Sequence, residues 1–291
     1  MIEDLIQQKQ KLINKYLETL LNPDYREHQI LFDSMNYSLM AGGKRIRPFL
    51  FLFLLDILGN DSKKYLDIAA AIECIHTYSL IHDDLPAMDN DDYRRGKPTN
   101  HKKFGSGIAT MAGDGLLTVA FTLITDNKIL TAEEKIKLIH ILSVAAGPFG
   151  MVAGQSHDKS VEGKEIDLKE LQLIDYCKTG CLLCAPIDMA MAISKVSEEE
   201  KNALHKFGKH LGLLFQITDD LLDVTGDLSV MGKMPGQDVT DKKITYVTML
   251  GIYETKYFAQ QEIKVAKKVI ENIKYNQILS ELLDFIYKRI K

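Results

Sequence analysis

Two clusters of aspartates have the residue types and spacing that could do chemistry. Asp219, Asp220 and Asp223 form the cluster nearer the C-terminus, and the four-residue spacing of Asp219 and Asp223 puts them on one helix face. Like charges at this spacing repel, and the apolar neighbours predict surroundings in which uncompensated carboxylates are costly. A hard divalent cation would relieve both problems, and oxygen ligands favour Mg²⁺, with Mn²⁺ as a substitute. We therefore expect these aspartates to bind metal.

The other cluster lies in the stretch HDDLPAMDNDD, at 82–92. Pro86 is expected to end or bend a helix, so that Asp89 joins Asp83 and Asp84 from the bend. These three aspartates are the candidate ligands of a second metal-binding group. Magnesium rarely occupies an all-protein cage, because it keeps waters and bridges to substrate phosphates. Together the clusters predict a phosphorylated substrate held between them.

Basic residues close to both clusters are candidate phosphate donors. In the stretch GGKRIRP, at 42–48, Gly43 allows close backbone approach, while Lys44 and Arg47 match phosphate oxygens. A helix that begins here would add its N-terminal amides. His76 lies seven residues before Asp83 on the same helix face, which makes it another candidate donor. The remaining candidate cations flank the two clusters: Arg94, Arg95, Lys178, Lys233 and Lys243.

Composition limits the class of protein. The 291 residues carry 36 Lys and Arg against 40 Asp and Glu, a net charge of −4 that argues against a nucleic-acid binder. A hydrophobic share of 46% and a charged share of 26% are typical of a soluble globular protein. The N-terminus lacks signal-peptide features, and the apolar stretch 138–157 is broken by glycine and proline, so we interpret it as a buried helix and a bend. We expect a cytoplasmic protein.

Helical periodicity dominates the elements that must position these residues. Thr131 and Ser197 precede acidic first turns, as N-caps do, and alternating strand patterns are absent. The run 49–55 could also be a buried strand. The prediction is an all-α bundle in a single domain over 1–291, with a two-domain α/β protein as the weaker alternative. The periodic segments are 3–21, 46–58, 64–85, 107–126, 132–146, 168–195 and 197–225.

These motifs together resemble those of the bacterial trans-prenyl diphosphate synthases. IHDDLPAMDNDDYRRGKPTNHKKFG (81–105) and MAGDGLL (111–117) resemble the first aspartate-rich motif region, and FQITDDLLD (215–223) with MGKMPGQDVTDKKITY (231–246) resembles the second. GGKRIRP and KTG (178–180) fit the same family. The insertion of Pro86 and Ala87 in the first motif is similar to that of farnesyl diphosphate synthases. The resemblance implies an all-α polyprenyl synthetase domain around a deep central cavity, and a homodimer.

The resemblance also assigns roles to residues. Asp83, Asp84 and Asp89 on one wall, and Asp219, Asp220 and Asp223 on the other, would bind Mg²⁺. The allylic diphosphate would be held by Arg94, Lys178, Thr179, Gln216, Lys233 and Lys243. Isopentenyl diphosphate would be held by Gly43, Lys44, Arg47, His76 and Arg95. The residues expected to take part in catalysis itself are Asp83, Asp84, Asp89, Lys178, Asp219 and Lys233.

The reaction implied is the condensation of isopentenyl diphosphate with dimethylallyl and geranyl diphosphate to farnesyl diphosphate. Tyr78 lies five residues before Asp83, roughly 7.5 Å along the helix axis, and Ser79 lies one turn before Asp83. Tyr78 is expected to close the cavity and keep the product short. The alternatives are a geranylgeranyl diphosphate synthase and a non-catalytic subunit of a heteromeric synthase. Cys177, Cys181 and Cys184 have a spacing found in radical iron–sulfur motifs, but the same spacing gives one apolar helix face, which we favour.

Overall fold

The structure is a computed structural model, and it describes residues 2–225 and 243–288. Helices account for almost all of its regular structure, as the periodicity predicts. The described chain forms two compact units, one of residues 4–139 and one of the residues from 140 onward with the first few residues of the chain. The single domain over 1–291 stays a prediction.

The unit of residues 4–139 is built around two largely buried helices, at residues 46–57 and 66–83. Helix α4 (Leu66–Asp83) packs against α3 (Ile46–Ile57) and α6 (Ser106–Asp126), and α2 (Gln29–Leu39) packs against α4, α5 (Asn100–Phe104) and α6. The core is formed by side chains such as Phe49, Leu52, Ile68 and Ile72, which are fully buried. The helices of this part of the chain are α1 (Ile2–Leu17), α2 (Gln29–Leu39), α3 (Ile46–Ile57), α4 (Leu66–Asp83), α5 (Asn100–Phe104), α6 (Ser106–Asp126) and α7 (Ala132–Ala146), with short 3₁₀ turns at Arg26–His28 and Ser62–Tyr65.

Residues 49–55 are helical, so the alternative of a buried strand is wrong. They lie within α3, and all seven side chains are buried. A helix that is apolar on every side shows no periodic pattern of apolar and polar residues, because it has no polar face. Without that pattern, its sequence cannot be distinguished from that of a buried strand. Length decides the matter, since the twelve residues of α3 are more than a typical strand contains.

A small hairpin is the one departure from the all-α prediction within the described residues. Strands β1 (Tyr93–Arg94) and β2 (Lys97–Pro98) pair antiparallel. Arg95 and Gly96 between them both have positive φ, which two-residue hairpin turns of this kind need. Two residues per strand are too few to give a period-two pattern, which is why the sequence did not indicate them.

The second unit is a group of helices around α11 (Glu198–Thr225). This helix packs against α10 (Cys181–Ala192) and α12 (Tyr246–Val269), and α13 (Asn276–Lys288) packs against both α11 and α12. Tyr176–Gly180 form a π-helical turn between α9 (Leu168–Asp175) and α10. The helices are α8 (Met151–Ser160), α9 (Leu168–Asp175), α10 (Cys181–Ala192), α11 (Glu198–Thr225), α12 (Tyr246–Val269) and α13 (Asn276–Lys288).

Both N-cap predictions are confirmed. Thr131 exchanges hydrogen bonds with Glu134 before α7, and Ser197 does the same with Glu200 before α11. In each case the cap hydroxyl accepts from the glutamate N–H, and the glutamate carboxylate accepts from the cap N–H. These boxes fix the first residue of each helix.

The apolar stretch 138–157 contains the predicted bend, between α7 and α8 at 147–150. The helix before it is buried along one side only, because Ile136 and Val144 are exposed. By length and composition, Ser106–Asp126 and the whole run Ala132–Ser160 could each cross a membrane. Core helices of soluble proteins meet the same criterion, and the break at 147–150 interrupts the longer run, so this is a weak indication.

Candidate active site

The first acidic cluster lies at the C-terminal end of α4, where the chain reverses. Asp83 is the last residue of the helix, as the proline predicts. The main-chain N–H of Asp89 donates to the carbonyl of Asp83 at 2.9 Å, and that of Met88 donates to Leu85 at 2.8 Å. The bend therefore brings Asp89 back beside Asp83, and both residues are half-buried.

Asp84 differs from these two aspartates, because it is buried and held by an arginine. The Nε of Arg94 lies 2.8 Å from both carboxylate oxygens, and an Nη lies 2.5 Å from Oδ1. Burial raises the pKa of Asp84, and Arg94 opposes that rise. Arg94 also lies 3.6 Å from Asp91. The pair joins the hairpin to the end of α4, and Asp84 as a metal ligand stays a prediction.

The glycines before α3 form a close contact with the second arginine of the hairpin. Arg95 donates to the carbonyl of Gly42, and a Cβ on Gly43 would lie 2.5 Å from the Arg95 Cζ. Gly42 and Gly43 have φ values of 95° and 107°, which only glycine adopts at low cost. Gln10 donates to the Gly43 carbonyl at 2.7 Å. Two predicted phosphate-binding stretches are thus brought together.

Arg47 and His76 lie next to each other, on α3 and α4. An Nη of Arg47 is 3.4 Å from Nε2 of His76. Burial, followed by the charges of Arg47 and Arg95, holds the pKa of His76 well below its ordinary value, so the ring is neutral. Helix α3 begins at Ile46, which places its N-terminal amides beside this group as predicted. Lys44 is exposed at the same loop.

Arg45 has a different task from its neighbours in GGKRIRP. Its side chain is buried, donating to Glu73 at 2.5 Å, to the Leu39 carbonyl at 2.7 Å and to Asn14 at 2.9 Å. It has a positive φ of 53°, immediately before α3. Arg45 therefore fixes the loop between α2 and α3, since each of its three side-chain nitrogens donates to a protein acceptor.

The two residues predicted to set product length lie on α4 below the first cluster. Tyr78 is 6% exposed, and its ring meets the His82 ring edge-on at 5.7 Å between centroids. His82 approaches the Thr110 carbonyl at 3.0 Å and lies directly over Gly113 of α6, where a larger residue would collide with it. Ser79 donates to the His76 carbonyl at 3.0 Å, so its hydroxyl is used within the helix.

The second acidic cluster lies in the last two turns of α11. Asp219 is half-buried, whereas Asp220 and Asp223 are almost fully buried. Asp220 accepts hydrogen bonds from Gln216 Nε2 at 2.8 Å and from the main-chain N–H of Tyr246 at 2.9 Å. Each acidic cluster thus has a half-buried first aspartate and a second aspartate that is held by protein donors.

Lys178 and Thr179 lie on the π-helical turn of the same unit. Lys178 Nζ is 2.6 Å from Asp158 of α8, and the Thr179 hydroxyl donates to Gln216 Oε1 at 3.2 Å. Gly154 allows α8 to touch the backbone of this turn, since a Cβ at residue 154 would collide with the main-chain nitrogen of Lys178. Hydrogen bonds therefore connect Thr179 through Gln216 to Asp220, while Lys178 on the same turn is paired with Asp158.

The remaining predictions concern the segment that follows α11. Lys243 is exposed, and its carbonyl accepts from the Thr248 hydroxyl at 3.3 Å. Lys233 lies outside the described residues. Sequence reasoning missed Asp175 and Tyr246, which adjoin this site. Tyr246 is fully buried, whereas Asp175 is half-buried with a buried carboxylate Oδ2. Asp175 is one residue in a helical segment, and Tyr246 is the last residue of the stretch 231–246, where a neutral side chain does not suggest a metal or phosphate ligand.

The donor set fits magnesium better than a metal with an all-protein cage. Within residues 2–225 and 243–288, no three His, Cys, Asp or Glu side chains cluster closely enough to hold a metal ion by themselves. Magnesium tolerates this, because one or two carboxylates, waters and substrate phosphates complete its shell. Asp83 with Asp89, and Asp219 on α11, have half-buried carboxylates of the required hard-oxygen kind.

Comparison with known proteins agrees with this geometry. A polyprenyl synthetase family profile matches residues 28–282. The chain is 44% identical to the farnesyl diphosphate synthase of Micrococcus luteus over the whole of both chains. It is 46% identical to that of Geobacillus stearothermophilus, over 92% of this chain and 90% of the relative. A geranyltransferase from Helicobacter pylori, complexed with magnesium and isoprenyl diphosphate, has a TM-score of 0.86 at 32% identity, over 98% and 96% of the two chains. The chain belongs to the polyprenyl synthetase family.

Proposed function

We propose that this enzyme is a farnesyl diphosphate synthase. It condenses isopentenyl diphosphate with dimethylallyl diphosphate and then with geranyl diphosphate, head to tail, in isoprenoid biosynthesis. The observation that carries the proposal is full-length identity above 40% to farnesyl diphosphate synthases, in a chain that has both acidic clusters at helix ends. We further propose that the whole chain acts as one polyprenyl synthetase domain.

Magnesium is the proposed metal, held by Asp83 and Asp89 in one unit and by Asp219 with Asp223 in the other. The magnesium in the similar geranyltransferase supports this choice, and Mn²⁺ is a proposed substitute. When bound, the metal supplies positive charge that offsets the charge of the departing diphosphate. Asp84 and Asp220 are proposed to join these two groups as further ligands, and Arg94 in one case and Gln216 with Tyr246 in the other hold their carboxylates in place.

The basic group in the unit of residues 4–139 is proposed to bind isopentenyl diphosphate. Arg47, Arg95 and the α3 N-terminus supply positive charge, and Gly43 leaves room for Arg95. His76 is neutral beside these arginines. Its ring N–H can therefore donate a hydrogen bond to a phosphate oxygen, or the ring can take up a proton when the negatively charged diphosphate binds. Lys44 contributes a further cation. This site orients the double bond for attack.

The second unit is proposed to hold the allylic diphosphate through Lys178, Thr179 and Gln216, with Lys233 and Lys243 from the following segment and Arg94 from the hairpin. Cations at these oxygens stabilise the leaving group as the allylic C–O bond breaks. The isopentenyl double bond then attacks the allylic carbon, and a proton leaves to the released diphosphate. Apolar walls exclude water, which would otherwise trap the carbocation.

A cytoplasmic homodimer is the proposed state of the protein. All four cysteines are free, as expected in a reducing compartment. Helix α6 packs on α4 with one side and leaves apolar side chains on the other, with Met111 exposed and Leu117 and Phe121 half-exposed. An apolar face of this kind is suited to a second copy of the chain. Sedimentation equilibrium tests the dimer, and a monomer at micromolar concentration would contradict it.

The product of the purified protein tests the function. The protein is incubated with isopentenyl diphosphate, Mg²⁺ and either dimethylallyl or geranyl diphosphate, and the products are separated by chain length. A fifteen-carbon product from both primers is expected. A twenty-carbon product would instead indicate a geranylgeranyl diphosphate synthase, and no condensation at all would indicate a non-catalytic subunit.

A further inference from the structure

Asp175 is a half-buried acid that the reaction scheme leaves unused. It is the last residue of α9 and is followed directly by the π-helical turn that carries Lys178 and Thr179. Its Oδ2 is buried and accepts no hydrogen bond from the part of the chain that the structure describes. A buried carboxylate oxygen in this state is costly, so its retention calls for a reason.

The Tyr246 side chain faces this carboxyl. Tyr246 is fully buried as the first residue of α12, and its hydroxyl likewise makes no hydrogen bond of ordinary geometry with the described residues. The two groups are close enough to influence each other. Burial raises the pKa of Asp175 to about 7, while the Tyr246 hydroxyl and Lys178 oppose the rise. A small adjustment of either side chain would join them.

Tyr246 connects Asp175 to the second acidic cluster. The main-chain N–H of Tyr246 donates to Asp220 Oδ2 at 2.9 Å, while Gln216 occupies the other oxygen. Gln216 in turn accepts from Thr179, which lies four residues after Asp175. The Thr245 cap, through its exchange with Thr248, sets where α12 begins and hence where this N–H points. The contacts form a loop that starts and ends at the π-helical turn.

We propose that Asp175 is a positioning residue for prenyl transfer, which holds Tyr246 so that its main-chain N–H keeps Asp220 in place among the metal-binding aspartates. The ring of Tyr246 transmits the contact, because it is fully buried and the main-chain N–H of the same residue is bonded to Asp220. Asp219 and Asp223 then keep their direction through the α11 turn that Asp220 shares with them. The inference rests on the proposed function for the identity of the ligand.

The variants Asp175→Asn and Tyr246→Phe, alone and together, test this role. Asp175→Asn keeps the shape and removes the charge, and Tyr246→Phe removes only the hydroxyl. Asp167→Asn is the matched control, because Asp167 caps the other end of α9 and is exposed. Each variant is assayed for KM of geranyl diphosphate, KM of isopentenyl diphosphate and the Mg²⁺ concentration at half-maximal rate. Binding of inorganic pyrophosphate with Mg²⁺ is also measured by calorimetry.

Both single variants are expected to raise the KM of geranyl diphosphate and the half-maximal Mg²⁺ concentration by roughly tenfold. The KM of isopentenyl diphosphate should not change, and pyrophosphate should bind more weakly by a similar factor. The double variant should be no worse than either single variant, since both break one connection. The control should match the wild type in all four values.

Three results would overturn the role. Wild-type KM values and pyrophosphate affinity in both single variants, with only a lower Tm, would mean that the pair is merely structural. Additive losses in the double variant would mean that the residues act separately. The third result is that the wild type binds no pyrophosphate, which would overturn both the proposed synthase and the role of Asp175. A wild type that is inactive but binds pyrophosphate would contradict the proposed synthase alone, and the calorimetric titration would then decide the role of Asp175.

Discussion

The main-chain N–H of Asp89 bonds to the main-chain carbonyl of Asp83 at 2.9 Å. Because this bond joins backbone atoms, it holds the two residues side by side whatever rotamers their carboxylates adopt. The five residues that separate them in sequence are thereby folded into one compact bend after α4. A cation could then be shared by two carboxylates that are already close together, which lowers the entropy lost on binding.

Replacing either aspartate is expected to remove turnover and spare the fold. Asp83→Ala and Asp89→Ala should each lower the rate with geranyl diphosphate by at least about a hundredfold, since charge stabilisation of the leaving group is lost. Circular dichroism should show unchanged helix content. Asp92→Ala is the control, because Asp92 is exposed and pairs with Lys102 in a surface ion pair. Wild-type rates in Asp83→Ala would refute the metal role.

Breaking the Asp84–Arg94 pair is expected to lower stability. Arg94→Ala leaves a buried carboxylate without its main donor and should cost about 3 kcal/mol of unfolding free energy. In a double-mutant cycle with Asp84→Ala, the coupling should be about 1–3 kcal/mol, measured by urea denaturation. Lys102→Ala, which breaks an exposed pair, should cost less than about 1 kcal/mol. A coupling near zero would mean that the pair does not fasten the hairpin.

Adding a methyl group at Gly43 is expected to displace Arg95. Gly43→Ala should raise the KM of isopentenyl diphosphate by roughly tenfold, because the new Cβ collides with the Arg95 guanidinium. Gly42→Ala is a close control, since Gly42 also has a positive φ but has open space around its Cβ position. Steady-state kinetics with each substrate varied in turn give the answer. Equal effects of the two substitutions would show that backbone strain, and not Arg95, is responsible.

Removing the Tyr78 ring is expected to lengthen the product. Tyr78→Ala should yield prenyl diphosphates longer than fifteen carbons, because the buried ring is proposed to close the cavity below the first cluster. Tyr78→Phe keeps the ring and should keep the product. Chromatography of the dephosphorylated products distinguishes the chain lengths. If Tyr78→Ala still stops at fifteen carbons, another residue forms the floor.

The stability of the protein should depend on pH through Asp175. Burial raises the pKa of this carboxyl from 3.8 to about 7, with Tyr246, Lys178 and Asp158 as the facing groups. The folded chain thus keeps a proton that the unfolded chain has lost, so this contribution to stability falls as the pH rises from about 4 to about 7. At about 1.4 kcal/mol per pKa unit, the change amounts to at most about 4 kcal/mol.

Asp175→Asn should remove this dependence, so that the variant gains stability relative to the wild type as the pH rises through that window. Unfolding free energies from urea titrations at several pH values measure the difference. Asp167→Asn, on the same helix but exposed, should follow the wild type. Parallel curves for Asp175→Asn and the wild type would contradict the raised pKa.

Much of the fold follows from local patterns in the sequence. Thr131 and Ser197 mark helix starts, because their side chains bond to residues only three positions away. The end of α4 follows from Pro86, because the proline ring disfavours helical backbone in the residue before it. Helix α12 was not predicted, because Gly251 interrupts it with a φ of 81° and weakens its periodicity.

The division of labour within each cluster could not be predicted, because it depends on distant partners. Asp84 and Asp83 are equivalent in sequence, and only Arg94, ten residues away, separates their roles. Asp220 is likewise set apart by Tyr246, twenty-six residues away. Arg45 resembles a phosphate donor until Glu73 is found beside it. The spacing of residues in the sequence indicates which side chains are neighbours on one helix. The roles of these residues depend instead on partners from other parts of the chain.

The π-helical turn at Tyr176–Gly180 gives the chain one residue more than an unbroken α-helix would need. Every residue after it is therefore out of phase with α9 by about 100°. A deletion of one residue here would give a continuous, regular α-helix from α9 to α10. Lys178 and Thr179 would then be rotated away from Asp158 and Gln216. Deletion of this one residue would thus separate the side chains that are proposed to bind diphosphate from the residues that hold them.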